Sequence, residues 1–547
     1  MEVNQMPNRN TENHFGNTPT KSMPRSAFKM GHSLVTTMNT GDIVPIYWKE
    51  CLAGDSCKMN VAELVRMTTP INPVMDNAYI DTYFFKIPLR LVDEHFEEMF
   101  GENKKDAWTQ TEEFITPKTQ APEGGWTKGS LASYFGMPQG VDGIEFSSHY
   151  LRSYVLCFNE WFRNQNITEP AELSLGQETT LGSNGTDYVT DLQKGGAPAK
   201  AVKFADYFTR ALPEPQKGPD VFVPLGQTAP IIGVEPTEAY GTTSVDNNLL
   251  NKEIGIRSGN SSTLTQLTFP YNAKDGTPTQ ANNTSIGLAA DLQHTEGGAT
   301  INALRQAFAI QRLYELDSNG TRFIEIIQNH FKVRVPDARL QRPEYVGGKR
   351  VNINMQDVLQ HSSTDETSPL GHEAGESKTI DNSQFIETAF VEPSILLGLA
   401  VIRTDHSYQQ GIERAFSRTD RLSYYWPELA NLGEQQIKNK EIFAQGTSED
   451  DEIFGYQEAW AEYRYEQNII TGEMNSNYET PLDSWHYADD YSELPTLSDE
   501  WIRETRVNVD RTLAIQNQDQ FKCSFYFDST WYRPLPIYSI PSLTGWH

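Results

Sequence analysis

The chain changes character twice between Phe204 and Arg342, and this constrains the fold more than any other feature. FADYFTRALPEPQKG and INALRQAFAIQRLYELDSNGTRFIEIIQNHF are sharply patterned. Between them, residues 219–299 are rich in Gly, Thr, Asn and Ser, too long for an ordinary connection. Such a chain has a fixed scaffold carrying one large ornament at a permissive site. That suits a structural or recognition protein better than a compact enzyme.

The scaffold reads as β. In Asp42–Leu52, Val44, Ile46 and Trp48 alternate with Ile43 and Tyr47, a strand signal. Asn77–Val92 sets Tyr83, Phe85 and Ile87 against Thr82, Phe84 and Lys86, and Pro88 ends regular pairing because it cannot donate to a ladder. Glu387–Thr404 predicts two buried strands joined near Pro393. Phe521–Ser529 is the cleanest strand: Phe521, Cys523, Phe525 and Phe527 alternate strictly with Lys522, Ser524, Tyr526 and Asp528.

Helical periodicity appears in three places. Ser147–Asn166 puts Tyr150, Leu151, Tyr154, Val155, Phe158, Trp161 and Phe162 on one broad face. Ile301–Asp317 predicts a second helix, stopped by Ser318-Asn319-Gly320, and Thr321–Phe331 a third. Helical pieces are also expected around Gln457–Tyr465 and Ser498–Thr505. Residues 1–40 read as a polar arm sparsely basic at Lys21, Arg25 and Lys29, and the Pro- and aromatic-rich tail from Trp531 as an arm lying across a neighbour.

A net charge of −28 repels nucleic acid and anionic membranes unless basic residues cluster locally. Cys51, Cys57, Cys157 and Cys523 match no zinc spacing and read as buried free thiols. The N-terminal residues lack a signal layout, and the longest apolar run, Ser394–Ile402, is far short of a membrane span. No membrane insertion is expected, and the chain reads as folding in a reducing cytosol.

Catalytic patterns are missing: there is no phosphate loop, HExxH, GxSxG or GxGxxG after a strand. Asp405-His406 reads as a structural hydrogen-bonding pair. His361 and His372 share a loop with several carboxylates, but the spacing fits no metal site. No catalytic residue, metal or cofactor is expected. The tracts YYWPEL (424–429) and WYRPLPIY (531–538) read as core or interface packing, with base stacking as the sharper alternative.

Long co-linear strings carry a family likeness. They are FKMGHSLVTTMNTGDIVPIYWKECLAGDSCKMN, DYFTRALPEPQKG, LRQAFAIQRLYELDSNGTRFIEIIQNHFKVRVPDARLQRPEYVGG and GIERAFSRTDRLSYYWPELANLGEQQI. Together they resemble the major capsid protein of the Microviridae, small single-stranded DNA bacteriophages, in the gokushovirus branch. The resemblance implies a mainly β fold: an eight-stranded antiparallel jelly roll with long, partly helical loop insertions. The expected layout is an arm over 1–40, core over 41–218, a surface insertion over 219–299 rising at the threefold axes, core again over 300–530, and an arm over 531–547.

It further implies a T=1 icosahedral shell of about 60 copies enclosing circular single-stranded DNA. The virion would be assembled in the bacterial cytoplasm, with the insertion used for host attachment. Sixty copies carry on the order of −1,700 charges, so a small basic DNA-binding phage protein is an expected partner. Candidate contacts are Lys21, Arg25 and Lys29 for DNA, Tyr240 and Tyr271 for a receptor, and Trp531, Tyr532, Tyr538 and Trp546 for neighbouring subunits. The rival classes are an acidic β-fold polysaccharide hydrolase and a carbohydrate-binding adhesin.

Overall fold

Strict alternation over Phe521–Arg533 continues in space as burial alternating with exposure, so this strand has one face in a core and one in solvent. It is the last of eight strands making two sheets: β1 (Ser26–Met38), β2 (Val44–Cys51), β3 (Ser56–Met67), β4 (Ala78–Pro88), β5 (Glu344–Asn352), β6 (Thr379–Ala389), β7 (Ser394–Thr404) and β8 (Phe521–Arg533). The computed structural model describes residues 25–102, 114–219, 221, 231–236, 286–290, 301–318, 323–334, 341–359, 361, 370–371 and 373–538. The chain forms two units, residues 1–215 with 321–547, and residues 216–320.

In the first unit one sheet has the order β1-β8-β3-β6 and the other β5-β4-β7-β2. Every adjacent pair is antiparallel. The molecule is thus mainly β. Between the sheets lies a core of Val61 and Val65 from β3, Phe525, Phe527 and Trp531 from β8, Phe84 from β4, and Leu396, Ala400 and Ile402 from β7. The Phe527 ring sits 4.9 Å from Tyr47 and 6.5 Å from Phe84, joining the two layers.

The second sheet is covered on its other face too. Ile395, Leu397, Leu399 and Val401 of β7, with Phe85 and Ile87 of β4, pack in a second core against helix α1 (His149–Cys157). The Tyr154 hydroxyl donates to the carbonyl of Ile43 at 2.6 Å, fixing the helix to the strand entry. Each such fully buried aliphatic side chain contributes roughly 1.5–3 kcal/mol. All four cysteines are buried free thiols, and burial pushes the Cys57 thiol up to about 12.

Several expectations are corrected. Residues 26–38 are β1, paired along its whole length with β8, so this part of the polar N-terminal segment is strand and not arm. Strand β8 runs on to Arg533, so Trp531 and Tyr532 belong to the sheet and not to an arm. The first helix covers His149–Cys157, continues as a π-helical turn over Phe158–Phe162 and ends where Arg163 turns extended.

Of the helical piece expected around Gln457–Tyr465 only one 3-10 turn, Ala461–Tyr463, forms; before it the chain ends a strand, Ile453–Glu458, paired with Glu434–Lys438. Trp460 there takes a left-handed backbone (φ 67°), which a continuous helix cannot contain. Near Ser498 a single turn, Asp499–Ile502, forms; the Ser498 hydroxyl caps it by accepting from the Trp501 amide at 3.3 Å.

The second unit holds helix α2 (Ile301–Ser318) and an antiparallel pair, Ile231–Pro236 with Ile286–Ala290. Gly218 adopts φ +130°, and a Cβ there would lie 3.0 Å from the Tyr314 ring, so the close approach depends on glycine. Of the apolar stripe on α2, Ala307 is buried, while Phe308 is 66 % exposed. Among the described residues no helix is long and apolar enough to cross a membrane.

Candidate functional site

Asp405 and His406 do not act as a pair. Asp405 accepts from the Tyr79 hydroxyl at 3.1 Å, whereas His406 is buried between two other carboxylates. Its Nδ1 lies 3.1 Å from Asp489 and its Nε2 3.0 Å from Glu504. Lys203, Tyr491 and Asn508 also donate to Asp489. Burial alone would strip the proton from His406, but the charges of Asp489 and Glu504 outweigh it and hold its pKa at about 10. Burial likewise opposes ionisation of Asp489, yet His406 and Lys203 keep it far below the usual carboxylate range. With both ring nitrogens donating, this is a charge clamp joining distant loops, and it holds no base free to take a proton from a substrate.

A second cluster ties β4 to its neighbours. Asp81 accepts a two-pronged contact from Arg350 at 2.7 and 3.1 Å, and further bonds from Arg403 and, at 3.2 Å, the Tyr83 hydroxyl. Both guanidinium groups lie against the Phe204 ring, 4.2 and 4.3 Å from its centroid. Nearby, Glu63 points from β3 into the inter-sheet space, buried, with one carboxylate oxygen unpartnered. Burial, then the charge of Asp381, raises its pKa to about 7. Among the described residues no three His, Cys, Asp or Glu side chains come together to hold a metal ion. His361 is exposed and His372 lies outside the described residues.

The expected contact residues scatter. Lys21, Tyr240, Tyr271 and Trp546 lie outside the described residues. Arg25 is exposed at the start of β1, and Lys29 on its outward face lies 3.9 Å from Asp528. Trp531 is wholly buried in the core of its own chain, stacked near Phe390 at 6.1 Å, so it cannot meet a neighbouring subunit. Tyr532 is 39 % and Tyr538 79 % exposed.

A larger apolar surface follows β7. Phe416 (80 % exposed), Leu422 (70 %), Tyr424 (53 %) and Leu432 (59 %) crowd one stretch, so YYWPEL is surface and not core. Arg421 lies 4.7 Å over the Trp426 ring and Arg418 4.8 Å over the Tyr463 ring, within cation–π range. The signal available in the sequence was Arg interleaved with aromatics, a composition favoured at protein contacts.

A molecule whose described residues hold two charge clamps, no cluster fit for a metal and a broad exposed apolar surface is suited to contacting other molecules. Comparison with known proteins agrees. The family described as capsid protein (F protein) matches residues 16–543. The capsid protein VP1 of Spiroplasma virus 4 is 40% identical over 533 residues, covering 95% of this chain and 96% of that one. Capsid protein VP1 of Bdellovibrio phage phiMH2K is 36% identical over 548 residues (98% and 99%), and that of Chlamydia phage 1 is 33% identical over 599 residues (97% and 98%). The chain belongs to the phage F-type capsid protein family, in its gokushovirus branch, and is a structural, non-enzymatic major capsid protein.

Proposed function

We propose that this capsid protein is an eight-stranded jelly roll that tiles a T=1 icosahedral shell of about 60 copies around circular single-stranded DNA. The observation that carries the fold reading is the strand pairing. The first strand lies beside the eighth, the second beside the seventh, the third beside the sixth and the fourth beside the fifth, with successive pairs alternating between sheets. That is the order obtained by winding one long antiparallel hairpin round a barrel. The first and last strands then meet in one sheet, and long loops leave from strand ends without disturbing the core. The long segments 89–343 and 405–520 leave in this way.

The shell reading rests on the family and on the exposed aromatic surface of 412–432. Tyr532 and Tyr538 are proposed subunit contacts of the C-terminal strand and tail. Residues 219–299, with Tyr240 and Tyr271, are proposed to engage the host surface, since a segment of such composition tolerates change without loss of core. Lys21, Arg25 and Lys29 are proposed DNA contacts, and a small basic phage protein the neutralising partner, with assembly in the host cytoplasm.

Electron microscopy of the purified chain under assembly conditions tests the shell. Uniform closed particles are expected, and a species that stays monomeric would end the reading. Replacing 219–299 by a short Gly/Ser bridge should leave particles intact and cut adsorption to host cells at least tenfold; normal adsorption refutes the attachment role.

A further inference from the structure

Among the described residues, one face of the first sheet is open. Outward positions of β1, β8, β3 and β6 alternate with the core positions, and they include Val35 (77 % exposed), Tyr526 (50 %), Ile380 (65 %) and Phe385 (56 %). At one end of this face, strand register sets Thr37, Lys522 and Arg66 side by side across β1, β8 and β3. Lys378 continues the row, since Thr379 pairs with Val65. All three cations are exposed. Among the described residues none of them has an ion-pair or hydrogen-bond partner. At the other end the cations are matched: Lys29 faces Asp528 and Lys58 sits 2.9 Å from Glu387.

Like charges directly opposite on adjacent strands repel. A chain of net charge −28 has carboxylates in excess; Asp519 stands at the β1 end of the row, held by Thr37 and Asn39, yet among the described residues none pairs with Lys522, Arg66 or Lys378. The row spans about 10 Å at ordinary strand spacing, and Tyr526 lies about 14 Å along β8 from Lys522. Between them lies the uncharged row of Ser524 with its cross-strand neighbours Val35 and Leu64, while Ser33 and Ala62 flank Tyr526 itself.

We infer that this open face is a platform for single-stranded nucleic acid, with Lys378, Arg66 and Lys522 holding backbone phosphates and Tyr526 and Phe385 offering ring faces to bases. Two features favour nucleic acid over a second protein. The centre of a protein interface is depleted of charge and its cations are met by acids, whereas this row is unmatched. An open four-stranded antiparallel sheet with exposed aromatics and flanking cations is also an arrangement on which unpaired bases stack regardless of sequence. The inference deepens the coat reading by assigning a surface to the packaged strand, and rests on it only for the source of that strand.

The test is fluorescence anisotropy of a labelled 20-nucleotide oligothymidine with the full-length chain across a salt series. Arg66→Glu with Lys522→Glu should weaken binding at least tenfold. It should also lower the magnitude of the log–log salt slope by about 1.4, the share of two phosphate contacts. Tyr526→Ala should weaken binding about tenfold with the slope unchanged, which a merely structural role would not separate. Arg66→Lys with Lys522→Arg should bind as wild type, and matching thermal melts exclude misfolding.

Wild-type affinity in the charge-reversal variant overturns the inference, as does a wild-type chain that binds no oligonucleotide. Loss of self-association by sedimentation, with oligonucleotide binding intact, assigns the face to a second copy and also overturns it. Failure of the coat reading is distinguished by whether wild-type shells form at all. Normal shells of the charge-reversal variant with a lower ratio of absorbance at 260 to 280 nm support the platform.

Discussion

Strands β7 and β8 belong to facing sheets of one sandwich, yet they are written in different alphabets. In SILLGLAVIRT ten of the eleven residues are buried and only Arg403 is half-buried, whereas FKCSFYFDSTWYR is buried at every second position. The difference is the number of covered faces. Strand β7 has the inter-sheet core on one side and α1 on the other. Strand β8 has core on one side and an open face on the other. Inside β7, Gly398 makes room for the rings of its register partners on the two flanking strands of its own sheet, because a Cβ there would lie 2.7 Å from Phe84 of β4 and 2.8 Å from Tyr47 of β2. A continuous apolar run therefore reports a strand sealed on both faces, and alternation one left available to a partner.

Truncation on the two strands should separate them most. Leu397→Ala removes a fully buried side chain of β7 on its helix-covered face, where the lost transfer energy and the cavity together cost about 2–5 kcal/mol. Tyr526→Ala on β8 removes a larger side chain from a half-exposed position, and should stay within about 0.5 kcal/mol. Urea unfolding of the unassembled chain at fixed pH checks both. Equal costs would mean that the outer face of β8 is covered by the chain itself.

The inner face of the first sheet carries one misfit, Glu63, and pH sharpens the comparison there. Its carboxyl is protonated in the folded chain up to about pH 7, against 4.5 when unfolded, because burial and then Asp381 disfavour its charge. The folded state then holds a proton that the unfolded state releases, so stability falls as pH rises from about 4.5 to 7. The whole span is worth about 3 kcal/mol. Glu63→Gln should be more stable than wild type by up to that amount at pH 8, the two converging near pH 4. Thermal melts across that range giving parallel curves would show that Glu63 stays charged or stays wet.

The strands with clean patterns were legible in the sequence. Those at 44–51, 78–88, 394–404 and 521–529 carry alternation or continuous apolarity that only a sheet satisfies, whereas of β6 only the end from Glu387 was legible and its start read as loop. Strands β1, β3 and β5 were not, and the reasons are local. In β3 the inward series Cys57, Met59, Val61, Glu63, Val65, Met67 is interrupted by that buried acid. In β1 the inward series passes through His32, which stacks 5.1 Å from Phe527, and its neighbours include Gly31. In β5 the ladder shifts register between Tyr345 and Gly347, which breaks the period. The clamp around His406 was unreadable for a different cause: its members, Lys203, His406, Asp489 and Glu504, are brought together from the two long insertions 89–343 and 405–520, and no spacing announces that. The exposed cations and rings of the open face are spread over four strands far apart in sequence, so only register assembles them.

The smallest expected effect falls on the matched end of that open face. Lys29 lies 3.9 Å from Asp528 with side chains 77% and 41% exposed, so water screens the pair and holding both side chains still offsets what attraction remains. Lys29→Ala should leave the urea midpoint unchanged beyond the scatter of repeat melts, at low and at high salt. A salt-sensitive loss of stability would mean that this end of the sheet is stiffened by charge and less accessible than its exposure indicates. An absent effect leaves both ends of the face dispensable for folding, and the contrast with β7 is then complete: one sheet is spent on holding the subunit together, while the outer surface of the other is free to be selected for what it touches.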